Sequence, residues 1–327
     1  MPDQSTTQAA SPRSSTDYFE PISMDLFSES RRAFGEAVCR SFRQTGFAVI
    51  ADHGLDQTVI DAALEDAKTY FDQSETVKQA HVVPNGAGQR GYTPFGVEAA
   101  KGAAQRDLKE FWHVGRRLPE GHPYSDVMPP NVGVASPERF DHTTYDLFLG
   151  LEALGLKILS AIAIELGLIE TYFDDATRDG NSILRLLHYP PQTEPPPEGS
   201  VRAGAHEDIN VITLLLGAEE SGLQVKHASG DWLSVSPPPG SLVINCGDML
   251  QRLTNHDLPS TTHRVVNPRP ERAAFPRYST PFFLHFRPDF IIETLPSCIS
   301  DARPNAYPEP ISAHDYLLER LREIKLM

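Results

Sequence analysis

The chain predicts a mainly β protein with flanking helices, its second half folding as a double-sheet jelly roll behind a mixed α/β N-terminal region. Three observations carry this expectation. From residue 182 onward, short apolar and β-branched runs alternate with turns such as Ala228-Ser-Gly-Asp231 and Ser236-Pro-Pro-Pro-Gly240, the pattern of a sandwich or barrel. Upstream of that point the apolar residues recur at helical spacing instead. The 327 residues include 22 glycines and 28 prolines, enough punctuation for many short elements. With 40% hydrophobic residues, the chain can bury a sizeable core.

Taken in order, residues 1–17 are rich in Ser, Thr, Gln and Pro and read as a disordered tail. An N-terminal region follows over 18–125. It opens on a short strand and turn at 17–26, then a helix over 28–44 with Phe34, Val38 and Phe42 on one stripe. Phe47-Ala-Val-Ile50 reads as a buried strand, and a second helix runs over 56–71. Residues 84–96 contain a formal GxGxxG at Gly86, Gly88 and Gly91. A dinucleotide loop needs a helix after it, and Tyr92-Thr-Pro94 stands there instead, so this is read as a flexible loop. The segment 126–181 holds the longest helix, over 136–168, with Leu147, Leu151, Leu154, Ile158, Ile162 and Leu166 at core spacing. The β core spans 182–290, with strands expected at 183–188, 209–216, 223–226, 232–235, 241–245, 263–267 and 278–286. Residues 291–327 form a closing segment with a helix over 311–325.

A formal net charge of −15 argues against a nucleic-acid or anionic-membrane partner, either of which calls for a basic face. No obligate protein partner is evident. Cys39, Cys246 and Cys298 lie far apart with no CxxC, which fits a reducing cytoplasm rather than a disulfide framework or a zinc knuckle. No apolar run reads as long enough to span a bilayer, and the N-terminus lacks a charged-then-apolar signal pattern.

The chemistry concentrates in Arg202-Ala-Gly-Ala-His206-Glu207-Asp208, which leads into the apolar run 209–216. In extended backbone His206 and Asp208 point the same way and Glu207 the other, placing an imidazole and a carboxylate side by side at the mouth of a strand. His263, which opens an apolar run of its own, is the best third partner. Two histidines and one carboxylate with open positions opposite form the facial set of non-haem Fe(II) oxygenases. A His-x-Asp pair alone is common by chance, so the constellation carries the signal. His53, His113, His188, His227, His256 and His285 lack a carboxylate at ligand spacing and read as structural, with His256 the decoy nearest His263. Arg277 and Ser279 share a strand face and offer a planar fork and a hydroxyl to one carboxylate. A hairpin centred near Pro270 would set His263 and Arg277 opposite each other on paired strands.

His206-x-Asp208, His263 and Arg277-x-Ser279, in that order, resemble the isopenicillin N synthase-like branch of the Fe(II)/2-oxoglutarate dioxygenases. Phe47-Ala-Val-Ile-Ala-Asp-His53-Gly54, Leu184-Arg-Leu-Leu-His-Tyr189-Pro190-Pro191, and Pro239-Gly240 through Asn245-Cys-Gly247-Asp248 are similar to further segments of that family. The resemblance implies a double-stranded β-helix core and Fe(II) held by His206, Asp208 and His263. It implies 2-oxoglutarate gripped at its far carboxylate by Arg277 and Ser279, with a hydroxyl from Tyr189. O2 and a small-molecule substrate complete the reaction, which yields succinate and an oxidised C–H bond. One departure stands out: Leu187 replaces an Asn found in many plant members. Arg90, Tyr92 and Phe95 on the Gly-rich loop, with Phe283 or His285 on the last strand, are candidates for a substrate wall. Three alternatives stay open at this point. They are an oxidase like isopenicillin N synthase that works without 2-oxoglutarate, an ethylene-forming variant, and a non-catalytic metal-binding barrel.

Overall fold

The computed structural model describes residues 18–84, 86, 88–98, 106–192, 194, 196–197, 199–216 and 222–323. The expected tail at 1–17 lies outside the described residues, as do Asn85 and Ala87 of the Gly-rich loop.

The N-terminal region begins with β1 (Pro21–Ser23), α1 (Met24–Glu29), α2 (Arg31–Thr45) and β2 (Phe47–Ala51). A helix stands where a turn was expected because two serines cap it and its successor. Ser23 Oγ accepts from the Asp25 N–H at 3.1 Å, and Ser30 Oγ accepts from the Ala33 N–H at 3.2 Å. Gly46 ends α2 in the left-handed conformation, φ 74°, as a helix terminus before a strand requires. Then come α3 (Gln57–Phe71), capped by Asp56, α4 (Glu75–Gln79), β3 (Gly91–Thr93) and β4 (Glu110–Gly115). The reading of the sequence missed β3 and β4. All six residues of β4 are buried, so no polar-apolar alternation marks it.

Helix α5 (Phe140–Glu165) is the long central helix. By length and composition it could cross a membrane, which corrects the expectation that no segment could. Its apolarity has a local cause. Leu151, Ile158 and Ile162 are fully buried in a core shared with α2, α3 and the outer face of the main sheet, so the helix is apolar on several sides at once. At the crossing with α2, a Cβ on Gly35 would stand 2.2 Å from the Ala161 carbonyl oxygen.

After α6 (Tyr172–Thr177) the chain enters the β core. It runs β5 (Ile183–Tyr189), β6 (Ala203–His206), β7 (Ile212–Leu216), β8 (Leu223–Lys226), β9 (Trp232–Ser234) and β10 (Leu242–Cys246). Next are α7 (Asp248–Leu253), β11 (His263–Val265), β12 (Arg277–Leu284), β13 (Ile291–Ile292), β14 (Ile311–Ser312) and α8 (Ala313–Glu323). Eight strands form one sheet in the order β1-β2-β10-β7-β12-β5-β4-β3, and four form a second in the order β6-β11-β8-β9. Only β1 and β2 pair in parallel within these two sheets. The N-terminal strands therefore flank the core strands on both sides of one sheet.

Alternate residues of the large sheet feed two separate cores. Ala48, Ile50, Leu184, Leu214, Ile244 and Phe282 pack outward against the helices. Phe47, Val49 and Val243 point inward and meet Leu223 and Val225 of the small sheet. Further along the same inner face, the side chains turn polar.

Two placements from the sequence need correction. His206 does not open the apolar strand. It ends β6 in the small sheet, and residues 207–211 carry the chain across to β7 in the large one. Likewise β11 and β12 are not a hairpin. β11 pairs with β6 and β8, whereas β12 pairs with β5 and β7. The Pro-rich connection between them crosses between sheets, so His263 and Arg277 face one another across the sandwich. Replacing Gly35 with Ala is expected to cost about 1–3 kcal/mol through overpacking against backbone, read as a lower urea midpoint with an unchanged m-value.

Candidate active site

His206, Asp208 and His263 converge although they come from a strand end, a crossover and a second strand. Pairing of β6 with β11 sets His206 and His263 directly opposite, their ring centroids 4.4 Å apart. Asp208 Oδ1 lies 3.8 Å from Nε2 of each. One ligand atom from each residue falls within 4.8 Å of the others, and this is the only group of three metal-ligating side chains so arranged among the described residues. Glu207 points away and is exposed, as the alternation of faces predicts.

Neighbouring groups fix which atoms are offered. Asp208 Oδ2 accepts from Asn245 Nδ2 at 2.8 Å and from Thr213 Oγ1 at 2.5 Å. That leaves Oδ1 turned to the imidazoles. His206 Nδ1 lies 2.7 Å from the Gly204 carbonyl and His263 Nδ1 3.1 Å from the Thr261 carbonyl. A carbonyl only accepts, so both Nδ1 atoms carry the proton and both Nε2 lone pairs face inward. Burial, then the neighbouring His263, pushes the His206 pKa down to about 4, which keeps it neutral and able to ligate. Burial alone would raise the Asp208 carboxyl, but His263, His206 and the two hydrogen bonds outweigh it and hold the group below its ordinary value. Two imidazole nitrogens and one carboxylate oxygen suit a divalent iron.

A cavity of about 590 Å³, counting the space open to solvent at its mouth, adjoins this cluster between the sheets. Arg277, Ser279, Pro281 and Phe283 of β12 line it from one strand face, and Arg185, Leu187 and Tyr189 of β5 from the next. Arg277 is paired across the ladder with Tyr189 and Ser279 with Leu187. The Arg277 guanidinium lies 5.1 Å from the centroid of the Tyr189 ring, and that of Arg202 lies 5.6 Å from the same ring. The chamber thus holds the Arg277 guanidinium and the Ser279 and Tyr189 hydroxyls along with the His206–Asp208–His263 cluster, groups suited to a dicarboxylate beside a cation. Leu187 packs with Phe111 and Tyr189, giving an apolar wall at the position where many plant members carry Asn.

Comparison with known proteins decides the family. Residues 180–286 match the 2OG-Fe(II) oxygenase superfamily, and residues 20–135 match the N-terminal region described as non-haem dioxygenase in morphine synthesis. The chain belongs to the 2OG-Fe(II) oxygenase superfamily. It is 32% identical to a 2-oxoglutarate-Fe(II) type oxidoreductase of Aspergillus fumigatus, over 85% of this chain and 83% of that one. A crystal structure of a 2OG-Fe(II) oxygenase family protein from Caulobacter crescentus is 51% identical. It superposes with a TM-score of 0.87 over 94% of this chain and 99% of the other. The full-length Neurospora crassa T7H, in complex with alpha-KG and thymine, is 28% identical with a TM-score of 0.81, over 93% and 96%. The protein is thus a 2-oxoglutarate-dependent dioxygenase that uses Fe(II) and couples decarboxylation of 2-oxoglutarate to oxidation of a small molecule.

The oxygenase has a second, wider chamber of about 1420 Å³, including its open mouth, on the other side of the His206–Asp208 pair. Arg185 and Phe283 border both chambers. Arg185 is rigidly aimed. Its Nε donates to His113 Nε2 at 2.6 Å, and His113 Nδ1 lies 2.5 Å from the Gly88 carbonyl. Burial, then Arg185, holds His113 well below the usual imidazole range, so it stays neutral. The Arg185 guanidinium lies 4.3 Å from the centroid of the Phe111 ring and 5.3 Å from that of Phe283. Lys109 bridges Glu98 at 2.7 Å and Asp107 at 2.8 Å, and Asp107 in turn accepts from the Gly204 N–H beside His206.

Of the substrate-wall candidates, Phe283 and His285 line this chamber, and burial pushes His285 down to about 4. The other three do not line it. Tyr92 is buried against Tyr70, and its hydroxyl donates to Glu110, which also holds Lys78 and His188. Arg90 is buried behind Gly115 and bonds to the Gln89 carbonyl. Phe95 is 49% exposed. The alternation along β3 turns Tyr92 into the core, and no loop reading of that stretch could anticipate it. His256 stacks on Tyr307 with Nε2 2.9 Å from its hydroxyl, away from the metal ligands.

Sequence reasoning missed Asn245, Thr213, Lys109, Glu98, His113 and Arg185 as parts of the site. Asn245 and Thr213 carried one signal, a polar residue inside an otherwise apolar strand. Asn245→Ala is expected to weaken Fe(II) binding roughly 10- to 100-fold, measured by anaerobic Fe(II) titration, because Oδ2 then competes with Oδ1 for the ion.

Proposed function

We propose that His206, Asp208 and His263 hold the iron, that Arg277 and Ser279 take the far carboxylate of 2-oxoglutarate, and that Tyr189 completes that end of the chamber. The observation that carries this assignment is the division of Asp208, with Oδ2 committed to Asn245 and Thr213 while Oδ1 faces two inward Nε2 atoms. Bound iron supplies the redox chemistry by which 2-oxoglutarate, O2 and a C–H compound become succinate, CO2 and the oxidised product. The protein's own part is positioning. Arg277 is buried on the inner sheet face, so its ion pair with the co-substrate is shielded from water. Arg185 and Phe283 stand where both chambers meet and orient the reacting C–H.

The prime substrate is small, with a flat apolar body against Phe283 and Phe111 and hydrogen-bonding groups toward Arg185, Asn181 and Gln89. The thymine and 5-formyluracil bound by Neurospora crassa T7H have that shape and support this reading. The order of motifs favours the isopenicillin N synthase-like branch. Three buried, unpaired cysteines favour a reducing cytoplasm, and the −15 charge favours work without nucleic acid, membrane or an obligate protein partner.

The test is succinate formation by anaerobically Fe(II)-loaded protein given 2-oxoglutarate and then O2. Wild type is expected to turn over slowly without any added substrate, and His206→Ala to make none. Arg277→Ala is expected to raise the 2-oxoglutarate requirement roughly 30- to 150-fold, about 2–3 kcal/mol for lost charge-assisted hydrogen bonds. Iron binding without succinate, even when candidate substrates are supplied, would instead assign Arg277 and Ser279 to a substrate carboxylate.

A further inference from the structure

Helix α8 is fastened differently at its two ends. At the amino end the backbone holds it: Ala313 N–H donates to the Phe290 carbonyl at 2.8 Å and His314 N–H to that of Pro288 at 2.9 Å. Ser312 adds a cap, accepting from the Asp315 N–H at 3.0 Å and donating to its carboxylate at 2.6 Å. Toward the carboxyl end an ion-pair cluster centred on Arg320 takes over. Its Nε lies 3.1 Å from Asp248 Oδ2 and an amino nitrogen 4.0 Å from Glu207 Oε2, while Glu323 of the same helix steadies it at 2.8 Å.

The two carboxylates that Arg320 reaches are built into the loops that carry the metal ligands. Glu207 sits between His206 and Asp208 and accepts from Thr262 Oγ1, the neighbour of His263, at 2.7 Å. The Asp248 N–H donates to the Asp208 carbonyl at 2.7 Å. These loops lie so close that a Cβ on Gly247 would come within 2.1 Å of the Asn210 carbonyl oxygen, so a shift in one moves the other. Asp248 is almost wholly buried, and an unpaired carboxylate there would be costly. Arg320 is the only cation within ion-pair distance of it among the described residues.

One turn apart on the same helix, Leu317 and Leu321 wall the wide chamber beside the metal ligands. We propose that Arg320 is a positioning residue, a latch that holds the carboxyl half of α8 over the substrate chamber and ties that closed wall to the metal-ligand loops. The helix swings about its backbone-held amino end. Release at Arg320 opens the chamber to a substrate, and re-pairing with Asp248 shuts water out. The inference rests on the wide chamber being the substrate's, as proposed above.

Hydrogen exchange on the full chain, without added metal and again with Fe(II) and 2-oxoglutarate under anaerobic conditions, tests it. In Arg320→Ala, amides of residues 317–323 are expected to exchange about tenfold faster, with residues 313–314 and strands β5, β7 and β12 unchanged. Arg320→Lys, which keeps the charge, is expected to restore most of the protection. Extraction of Fe(II) by an excess of a colorimetric chelator should also quicken several-fold in the Ala variant. Unchanged exchange over 317–323 would overturn the latch, and so would a uniform rise across the β core, which would make Arg320 a support of the whole fold. Should Arg320→Ala fail to fold, Arg320→Gln keeps the packing and is read by the same pattern. Exchange does not depend on succinate formation, so a failed oxygenase reading and a failed latch give different results.

Discussion

Asp208 has two oxygens with different jobs, and much of the structure exists to keep them apart. Oδ2 is pinned by Asn245 from β10 and Thr213 from β7, two neighbouring strands of the large sheet. Oδ1 is thereby aimed at two histidines from paired strands of the small sheet. The site therefore needs both sheets, in register and at the right separation. A slip of one residue in β7 or β10 would turn Thr213 or Asn245 into the helix-facing core. The outer core built on α5 holds that register from behind, which is why a 26-residue apolar helix sits so far from the chemistry it supports.

The same alternation organises the rest of the inner face. Close to the sheet's first strands it is apolar, where Phe47, Val49 and Val243 glue the two sheets together. Farther along it carries Thr213, Asn245, Arg277, Ser279 and Arg185 around open space. A jelly roll can place charged side chains there because strands on either side supply hydrogen bonds and countercharges to buried polar groups. Glu98, Lys109 and Asp107 show how closely this is balanced, with one buried ammonium between two carboxylates. Arg185, the cation bordering both chambers, joins that cluster through Glu98 at 3.4 Å while its Nε donates to a neutral imidazole.

Much of this was legible in the sequence for definite physical reasons. Short strands cut by Pro and Gly announced the sandwich, and the uninterrupted core face of 136–168 announced the central helix. His206, Asp208, His263, Arg277 and Ser279 stood out because ligand chemistry restricts residue type and spacing, and the structure brings all five around the smaller chamber. What was not legible depended on contacts between distant segments. Two connections far apart in sequence, residues 207–211 and 266–276, each cross between sheets, and local patterning cannot distinguish a crossover from a strand or a hairpin. β4, buried on both faces, has no period to read. Tyr92 looked like a loop aromatic until its pairing with Trp112 turned it toward the core. Arg320, far along the chain from every ligand, gave no signal at all, since its meaning lies in Asp248 and Glu207.

The most direct measurement is an anomalous-difference map at the iron edge, from crystals grown anaerobically with Fe(II) and 2-oxoglutarate. One peak bonded to Nε2 of His206, Nε2 of His263 and Oδ1 of Asp208, with the far carboxylate of 2-oxoglutarate on Arg277 and Ser279, is the predicted result. Iron on Oδ2, iron elsewhere, or 2-oxoglutarate anchored at Arg185 would contradict the account.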